Sequence, residues 1–251
     1  MEYNQQIDEQ LYQRAYLNNY TPSADVCVMK IGGKVIGSLQ NIVCFSGLPK
    51  AGKSTFLNGC IAAAYLPYSV FTMSMHMPEG RKTVCYIDTE SSEYDFYRSI
   101  DRIKTMAEYQ AMPHEFTAYR FRDLAPKAII EYTEYILFKR PDCSVMVIDG
   151  LLDCLMNYND EVESRHLINW LKRITTQYNV LLIGVVHTGK KDGMTLGHFG
   201  SMIDRYCQSV LTVEKDSKAA TFELKAKFLR SDIPFDPVVI QNDMGVFRQV
   251  N

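Results

Sequence analysis

The chain has 251 residues, of which 47% are hydrophobic and 22% are charged, and its formal net charge is −2 at pH 7. This balance is typical of a globular protein with a sizeable core, and it excludes an overall positive field that would attract nucleic acid. A polyanion would have to bind at a local basic patch. The seven cysteines form no CxxC pair, which favours buried, reduced thiols over a disulfide or zinc framework.

The N-terminal segment, residues 1–10, is polar and acidic, unlike a secretory signal. No apolar stretch approaches the roughly 18 residues that a membrane span needs. We therefore expect a cytoplasmic protein that does not bind a membrane. Residues 1–20 are predicted to form an arm or a short helix, and residues 21–251 a single domain.

Two short strands, 26–31 and 34–36, come first in the domain, and Gly32-Gly33 between them is typical of a hairpin. Strands and helices then alternate. The predicted strands are 41–46, 83–87, 117–121, 144–148 and 180–186, and the predicted helices are 53–65, 93–109, 127–138 and 162–177. Repeated strand-then-helix units favour a three-layer α/β fold with a mostly parallel central sheet.

The C-terminal part changes character, because short strand-like segments there are separated by turn residues without helices. These segments are 209–213, 221–227, 237–240 and 246–250. We expect them to add antiparallel strands at one edge of the sheet.

The segment 47–54 satisfies the pattern GxxxxGK[ST] of a phosphate-binding loop, with a strand before it and a helix after it. Glycines let backbone N–H groups converge on a phosphate, and the helix N-terminus adds its positive dipole end. Lys53 is expected to reach the β- and γ-phosphates of ATP, and Ser54 to bind Mg²⁺. The alternative is a chance glycine-rich turn. The predicted nucleotide-binding residues are Gly47, Leu48, Pro49, Lys50, Ala51, Gly52, Lys53, Ser54 and Thr55.

An apolar strand ends at Asp149, which is the form of a Walker B carboxylate. We expect this strand to lie next to the strand that leads into the loop, so that Asp149 reaches Ser54 and contacts Mg²⁺ directly or through water. The alternative is an aspartate that caps the turn at Gly150. Asp153 is a weaker candidate, equally suited to cap a helix.

Glu90 and His187 also follow apolar strands. Ligands of open α/β sheets bind at the carboxyl ends of the strands, so Glu90 is the candidate general base for the attacking water. His187 is the candidate sensor of the γ-phosphate. The alternatives are a solvated loop acid and a structural histidine. The stretch 189–200, which contains His198, fits either a mobile loop that faces a ligand or a surface loop.

These motifs in this order resemble the RecA-like P-loop ATPases, and among them the RepA-like hexameric helicase and AAA-type ATPase group. The resemblance covers about residues 22–250. It implies that residues 21–251 form a RecA-like ATPase domain, with Glu90 as the catalytic glutamate, Asp149 as the Walker B acid and His187 as the sensor.

The resemblance also implies that a basic residue on a C-terminal strand reaches the nucleotide of a neighbouring subunit. Lys225, Lys227 and Arg230 match that placement, and Arg230 is the best candidate because its planar guanidinium fits phosphate oxygens. The alternative is a set of solvated basic residues on an edge strand. A homo-oligomer is expected, with a ring such as a hexamer as its form.

Three functions are compatible with these residues. The preferred one is a motor ATPase that acts on single-stranded DNA, as a replicative or mobile-element helicase subunit. The second is an ATPase of the same fold that serves as a regulatory switch or acts on a protein partner without DNA. The least favoured is a P-loop kinase of a small molecule. Relatives often carry an arginine where this chain has Leu196, which weakens the case for DNA translocation.

Overall fold

The computed structural model describes residues 26–189, 197–243 and 246–250. The predicted N-terminal arm and Leu196 lie outside these ranges. The predicted hairpin is confirmed, since β1 (Cys27–Ile31) pairs antiparallel with β2 (Lys34–Ser38). Gly32 and Gly33 both have positive φ angles, of 55° and 79°, which a tight hairpin turn requires. A short strand, β4 (Met73–Met75), completes a three-stranded sheet in the order β2-β1-β4.

Among the described residues, the main sheet has nine strands, and their order across the sheet is β12-β11-β10-β9-β3-β8-β7-β5-β6. Six of them are parallel to one another: β3 (Ile42–Gly47), β5 (Thr83–Asp88), β6 (Phe116–Arg120), β7 (Cys143–Asp149), β8 (Leu181–His187) and β9 (Ser209–Asp216). Each of the last three strands runs antiparallel to the strand before it in the chain: β10 (Thr221–Leu229), β11 (Val238–Asp243) and β12 (Val246–Val250). The predicted sheet is therefore confirmed, except that β9 runs parallel to β3.

Helices cover both faces of this sheet. They are α1 (Lys53–Ala63), α2 (Glu93–Met106), α3 (Pro126–Lys139), α4 (Glu161–Gln177) and α5 (Gly197–Tyr206), with a 3₁₀ turn at Leu151–Cys154. The core on one face is formed by α1, α2 and the three-stranded sheet, and the core on the other face by α3, α4 and α5. Three layers result, as the alternation of elements predicts.

Side-chain caps explain where two of the helices begin. The Ser92 side chain accepts a hydrogen bond from the Asp95 N–H at the start of α2, and Asp160 accepts one from the Glu163 N–H at the start of α4. Such caps satisfy donors that the first helical turn leaves without a partner. The start of α2 fixes where the loop that carries Glu90 must end.

Two expectations about this fold were wrong. The strand β7 does not lie next to β3, because β8 lies between them and pairs with both. Both are apolar strands, so hydrophobicity alone does not distinguish which takes the position beside β3. The stretch 189–200 is not a loop throughout, since α5 begins at Gly197. Phe199 and Ile203 are one helical turn apart and fully buried, and they anchor α5 to the core. His198 is exposed in its first turn.

None of the seven cysteines forms a disulfide, and six of them are buried, as expected for structural thiols. Within the described ranges, no helix has both the length and the apolar character that crossing a membrane demands.

Candidate functional site

The glycine-rich loop connects β3 to α1 at the carboxyl edge of the sheet. Gly52 has φ 94°, and a Cβ atom at this position would lie 2.5 Å from Phe222 Cδ1, so that only glycine fits here. Gly52 is also the N-cap of α1, where no side chain makes a capping hydrogen bond. The first N–H groups of α1 have no intrahelical partners and suit a bound anion.

Lys53, the first residue of α1, is turned back onto its own loop. Its Nζ donates hydrogen bonds to the carbonyl oxygens of Gly47 and Leu48, at 2.9 and 2.8 Å, and lies 3.0 Å from His187 Nδ1. Burial lowers the pKa of Lys53. A phosphate at this position would offer its oxygen atoms in exchange for the two carbonyl oxygens.

His187 connects Lys53 to Glu90. The second ring nitrogen of His187, Nε2, lies 3.0 Å from Glu90 Oε1. Since the lysine ammonium only donates, Nδ1 must accept, and the ring proton is assigned to Nε2, which donates to Glu90. This hydrogen bond lowers the pKa of Glu90. Glu90 is therefore an ionised carboxylate at neutral pH, held at the end of a three-residue chain of hydrogen bonds.

Asp149, at the end of β7, contacts α1 in the predicted way even though β7 is not adjacent to β3. Ser54 Oγ donates to Asp149 Oδ2 at 3.0 Å. The Asp149 carboxyl is buried, and burial raises its pKa to about 7, with the negative charges of Asp88 and Glu90 adding to the effect. The site thus holds a carboxyl group that lacks the positive charge needed to keep it ionised.

This pKa makes the stability of the ligand-free protein depend on pH. In the unfolded chain Asp149 ionises near pH 4, whereas in the folded chain it keeps its proton up to about pH 7. The folded state binds the extra proton between these values, so its stability falls as the pH rises through this window.

We expect an Asp149→Asn variant, without nucleotide or metal, to be more stable than the natural chain at pH 8 by about 1–4 kcal/mol, because the amide needs no counter-charge. Chemical denaturation at pH 8 and pH 5 measures the difference. At pH 5 the gain should be less than half as large, because most of the window between pH 4 and pH 7 lies above that pH. Asp95→Asn, at an exposed position in α2, is the control. No gain at pH 8, or the same gain at both pH values, would contradict the assignment.

The residue pair Ser54 and Asp149 suits magnesium by its chemistry. Both residues offer hard oxygen atoms, and Mg²⁺ in nucleotide sites uses one or two protein ligands together with phosphate and water. The described part of the chain holds no group of three or more His, Cys, Asp or Glu side chains that could bind a metal. The residues present therefore fit a magnesium ion that shares its coordination shell with a phosphate.

One cavity of about 260 Å³ is bordered by the polar residues described above, Lys53, Ser54, Glu90, Asp149 and His187. Its full lining consists of Lys50, Gly52, Lys53, Ser54, Thr55, Glu90, Asp149, His187 and Phe222. Phe222, on β10, was not predicted, since an aromatic residue on a tail strand carries no local signal that relates it to the loop. The other lining residues were all predicted from the sequence.

Thr89 and Asp153 anchor the ends of β5 and β7 to each other. Thr89 Oγ1 accepts a hydrogen bond from the Gly150 N–H at 2.8 Å and donates one to Asp153 Oδ2 at 2.6 Å. Asp153 lies inside the 3₁₀ turn, whose N-cap is Gly150, so the suggestion that it caps a helix was wrong. Its carboxylate instead holds Thr89.

Lys227 and Arg230 do not reach this cavity. Arg230 N–H donates to the Gln208 carbonyl, and Gln208 N–H donates to the carbonyl of Ile42, which begins β3. At about 3.3 Å per residue, this level lies about 17 Å from Gly47 at the other end of the strand. A role of Arg230 at a nucleotide would therefore require a second copy of the chain.

The surroundings of the two basic residues differ. Lys227 Nζ is paired with Asp204 at 2.7 Å. Arg230 is exposed and donates to the Arg205 carbonyl at 2.9 Å, and among the described residues it has no carboxylate partner. Lys225 is paired with Glu223 and Glu214. Of the three basic residues, Arg230 is therefore the one without a carboxylate partner in the described part of the chain.

Residues 36–193, which contain the loop and the ends of β5, β7 and β8, match the family of the AAA domain. The chain belongs to this family. Solved structures show that this AAA domain has the RecA-like fold. The KaiC-like protein PH0186 from the hyperthermophilic archaeon Pyrococcus horikoshii OT3 is 13% identical with a TM-score of 0.63, over 92% of this chain and 100% of that one.

Two further solved structures are similar to this AAA domain. The RadB recombinase is 14% identical with a TM-score of 0.57, over 87% of this chain and 94% of that one. The other structure is an ATPase domain, 11% identical with a TM-score of 0.55, over 84% of this chain and 85% of that one. No curated protein matches the sequence. The chain is thus a RecA-like P-loop protein of the AAA-domain family, as its motifs predict.

Proposed function

We propose that this AAA domain binds ATP with Mg²⁺ and hydrolyses the bond between the β- and γ-phosphates. The observation that carries the proposal is the convergence of Lys53, Ser54, Glu90, Asp149 and His187 on one cavity of about 260 Å³. A phosphate-binding loop, a ligand pair suited to magnesium and an ionised carboxylate are the parts that phosphoryl transfer to water needs.

Binding would begin with an exchange of hydrogen bonds at Lys53. Its ammonium group leaves the carbonyl oxygens of Gly47 and Leu48 and binds phosphate oxygens, while the open N–H groups at the start of α1 hold the same phosphates. Ser54 and Asp149 would hold magnesium, which when bound neutralises charge on the phosphates. Binding a divalent cation also supplies the positive charge that the buried carboxyl of Asp149 lacks.

Hydrolysis would use Glu90 as the general base. A water molecule between Glu90 and the γ-phosphate gives its proton to the carboxylate, its oxygen bonds to the γ-phosphorus, and the bond to the β-phosphate oxygen breaks, so that ADP leaves. The Nε2–H of His187 orients the carboxylate, and Nδ1 contacts Lys53. Because His187 touches both the base and the phosphate-binding lysine, it is placed to respond when the γ-phosphate is lost.

The preferred biological role is a ring-forming motor on single-stranded DNA. The order of motifs supports it, and one solved structure of this fold is a recombinase. The second candidate is a switch or an ATPase that acts on a protein partner, and the overall net charge of −2 favours it. A small-molecule kinase is the weakest candidate.

The steady-state ATPase rate with and without single-stranded DNA tests the choice between motor and switch. We expect stimulation of severalfold or more by single-stranded DNA and a smaller effect of duplex DNA. A rate that is the same with no DNA, single-stranded DNA and duplex DNA at low salt would contradict the motor and favour the second role. Low salt is essential because phosphate contacts weaken steeply as salt increases.

A further inference from the structure

Asp88 is the second carboxylate at the end of β5, two residues before Glu90, and it has no part in the chemistry described above. The whole Asp88 residue is 2% exposed, whereas the Glu90 side chain is 45% exposed. Both acids follow the same apolar strand in the sequence, and only Glu90 is predicted to be the general base. Their surroundings show that they are not equivalent.

Both oxygen atoms of the Asp88 carboxylate accept hydrogen bonds from donors of its own chain. Oδ1 accepts hydrogen bonds from the backbone N–H groups of Glu90, at 3.0 Å, and of Ser91, at 2.7 Å. Oδ2 accepts one from the Tyr86 hydroxyl at 3.2 Å. Asp88 is thus turned toward its own chain, and it is not among the residues that line the cavity.

The hydroxyl that binds Asp88 is itself held in place. Tyr86 is fully buried, its ring stacks on Phe96 of α2 with an interplanar angle of 16°, and its hydroxyl also contacts Ser99. Ser99 exchanges two hydrogen bonds with Asn58, one turn after Ser54 in α1. Buried polar groups of α1, α2 and β5 therefore lie close together here, and the Tyr86 hydroxyl and Asp88 connect them to the backbone of Glu90.

The loop that carries Glu90 is held from the other side by β7. Thr89 N–H donates to the Asp149 carbonyl at 2.7 Å, and Thr89 Oγ1 accepts from Gly150 N–H. With Asp88 holding residues 90 and 91, the backbone is fixed immediately before and after the Glu90 side chain. The tip of the Glu90 side chain is restrained in turn by His187.

We propose that Asp88 is a positioning residue, which holds the backbone at Glu90 and Ser91 so that the Glu90 carboxylate stays where the attacking water must bind. The inference rests on the proposed function and extends it. A displacement of about 1 Å of a catalytic group costs up to about 100-fold in rate, so loss of this anchor has a large kinetic effect without removing any reacting atom.

Three variants separate positioning from other roles. Asp88→Ala removes both acceptors, and kcat should fall about 10–100-fold with KM for ATP changed less than about threefold. Asp88→Asn keeps an oxygen atom that accepts the two N–H bonds, and its amide can donate to the Tyr86 oxygen, so kcat should stay within about threefold of the natural chain. Tyr86→Phe removes only the hydroxyl and should lower kcat less than Asp88→Ala does.

A double variant provides the readout that a purely structural residue would not change. If Asp88 acts through Glu90, adding Asp88→Ala to Glu90→Gln should leave the residual ATPase rate unchanged, because nothing remains to be positioned. An equal loss in both backgrounds would overturn the inference. So would an Asn variant as impaired as the Ala variant, which would indicate a base or a metal ligand.

Failure of the inference and failure of the proposed function give different results. If the natural chain does not hydrolyse ATP, the proposed function falls and the inference with it. If the natural chain hydrolyses ATP and folded Asp88→Ala has the same kcat, only the inference is overturned. If Asp88→Ala does not fold, Asp88→Asn and Tyr86→Phe test the inference instead. The inference requires a near-natural kcat in Asp88→Asn and a reduced kcat in Tyr86→Phe.

Discussion

Replacing Glu90 by glutamine should lower the rate of ATP hydrolysis by about 10²–10⁴-fold while leaving the affinity for ATP nearly unchanged. The amide keeps the size of the side chain and can still accept the Nε2–H bond of His187, but it cannot take a proton from water. Single-turnover hydrolysis and equilibrium nucleotide binding, measured on the same preparation, give the two quantities separately.

Glu93→Gln is the matched control for this variant. Glu93 is an exposed acid three residues away, in the first turn of α2, and its loss should change the rate by less than about twofold. A Glu90→Gln variant that hydrolyses ATP within about fivefold of the natural rate would remove Glu90 from the role of base. Asp149, the second carboxylate that borders the cavity, would then have to be considered for the role of base.

Replacing Arg230 by alanine should lower ATP hydrolysis by about 10³-fold if its guanidinium acts on the nucleotide of a neighbouring subunit. The level of this residue along β3 is about 17 Å from the phosphate loop of its own chain, so its guanidinium does not reach the nucleotide bound there. Lys227→Ala should have a smaller effect, because the Lys227 ammonium is already paired with Asp204. Steady-state phosphate release at a protein concentration that supports oligomers measures both.

Mixing two inactive variants tests whether Arg230 acts between subunits. A subunit with Arg230→Ala keeps its own Glu90, and a neighbour with Glu90→Gln keeps its own Arg230. One complete site can therefore form at their boundary. The ATPase rate of the mixture should be well above that of either variant alone. No recovery in mixed oligomers, or a rate per subunit that stays constant down to a demonstrated monomer, would contradict an intersubunit site.

The succession of strands and helices was predictable because each element has a local signal. Apolar runs such as 144–148 and 180–186 mark buried strands, and the spacing of Leu167, Leu171 and Ile174 marks the buried face of α4. The strand β4 was missed because three residues, Met73–Met75, are too few to show alternation. The helix α5 was missed because Gly197 and Gly200 conceal the helical spacing of Phe199 and Ile203.

The position of β8 between β3 and β7 was not predictable, because the order of strands is decided by long-range packing. That order has a direct consequence for the site. It places His187 beside the loop, level with Gly47, so that the ring reaches both Lys53 and Glu90. The sequence identifies each of these three residues as a candidate, whereas only the fold shows that they form one chain of hydrogen bonds.

The residues that support the site were the hardest to identify. Phe222 is 170 residues after Gly52, and nothing near either residue indicates their contact. Asp88 lies inside a recognisable motif, but its anchoring role depends on the burial of its carboxylate and on the Tyr86 hydroxyl. Residues that touch a ligand can be identified from the spacing of sequence motifs. Residues that hold those groups in place can be identified only from the packing of the folded chain.

Release of inorganic phosphate from ATP with magnesium, by the purified chain and by its Lys53→Ala variant, tests the central claim most directly. Lys53 is buried at the start of α1. The control for the loss of one positive charge is Lys82→Ala, at an exposed position before β5. We expect magnesium-dependent release by the natural chain and by Lys82→Ala, and none above background by Lys53→Ala. Release that is equal in all three proteins, or absent from the natural chain at every concentration and with DNA present, would contradict the claim that this domain is an ATPase.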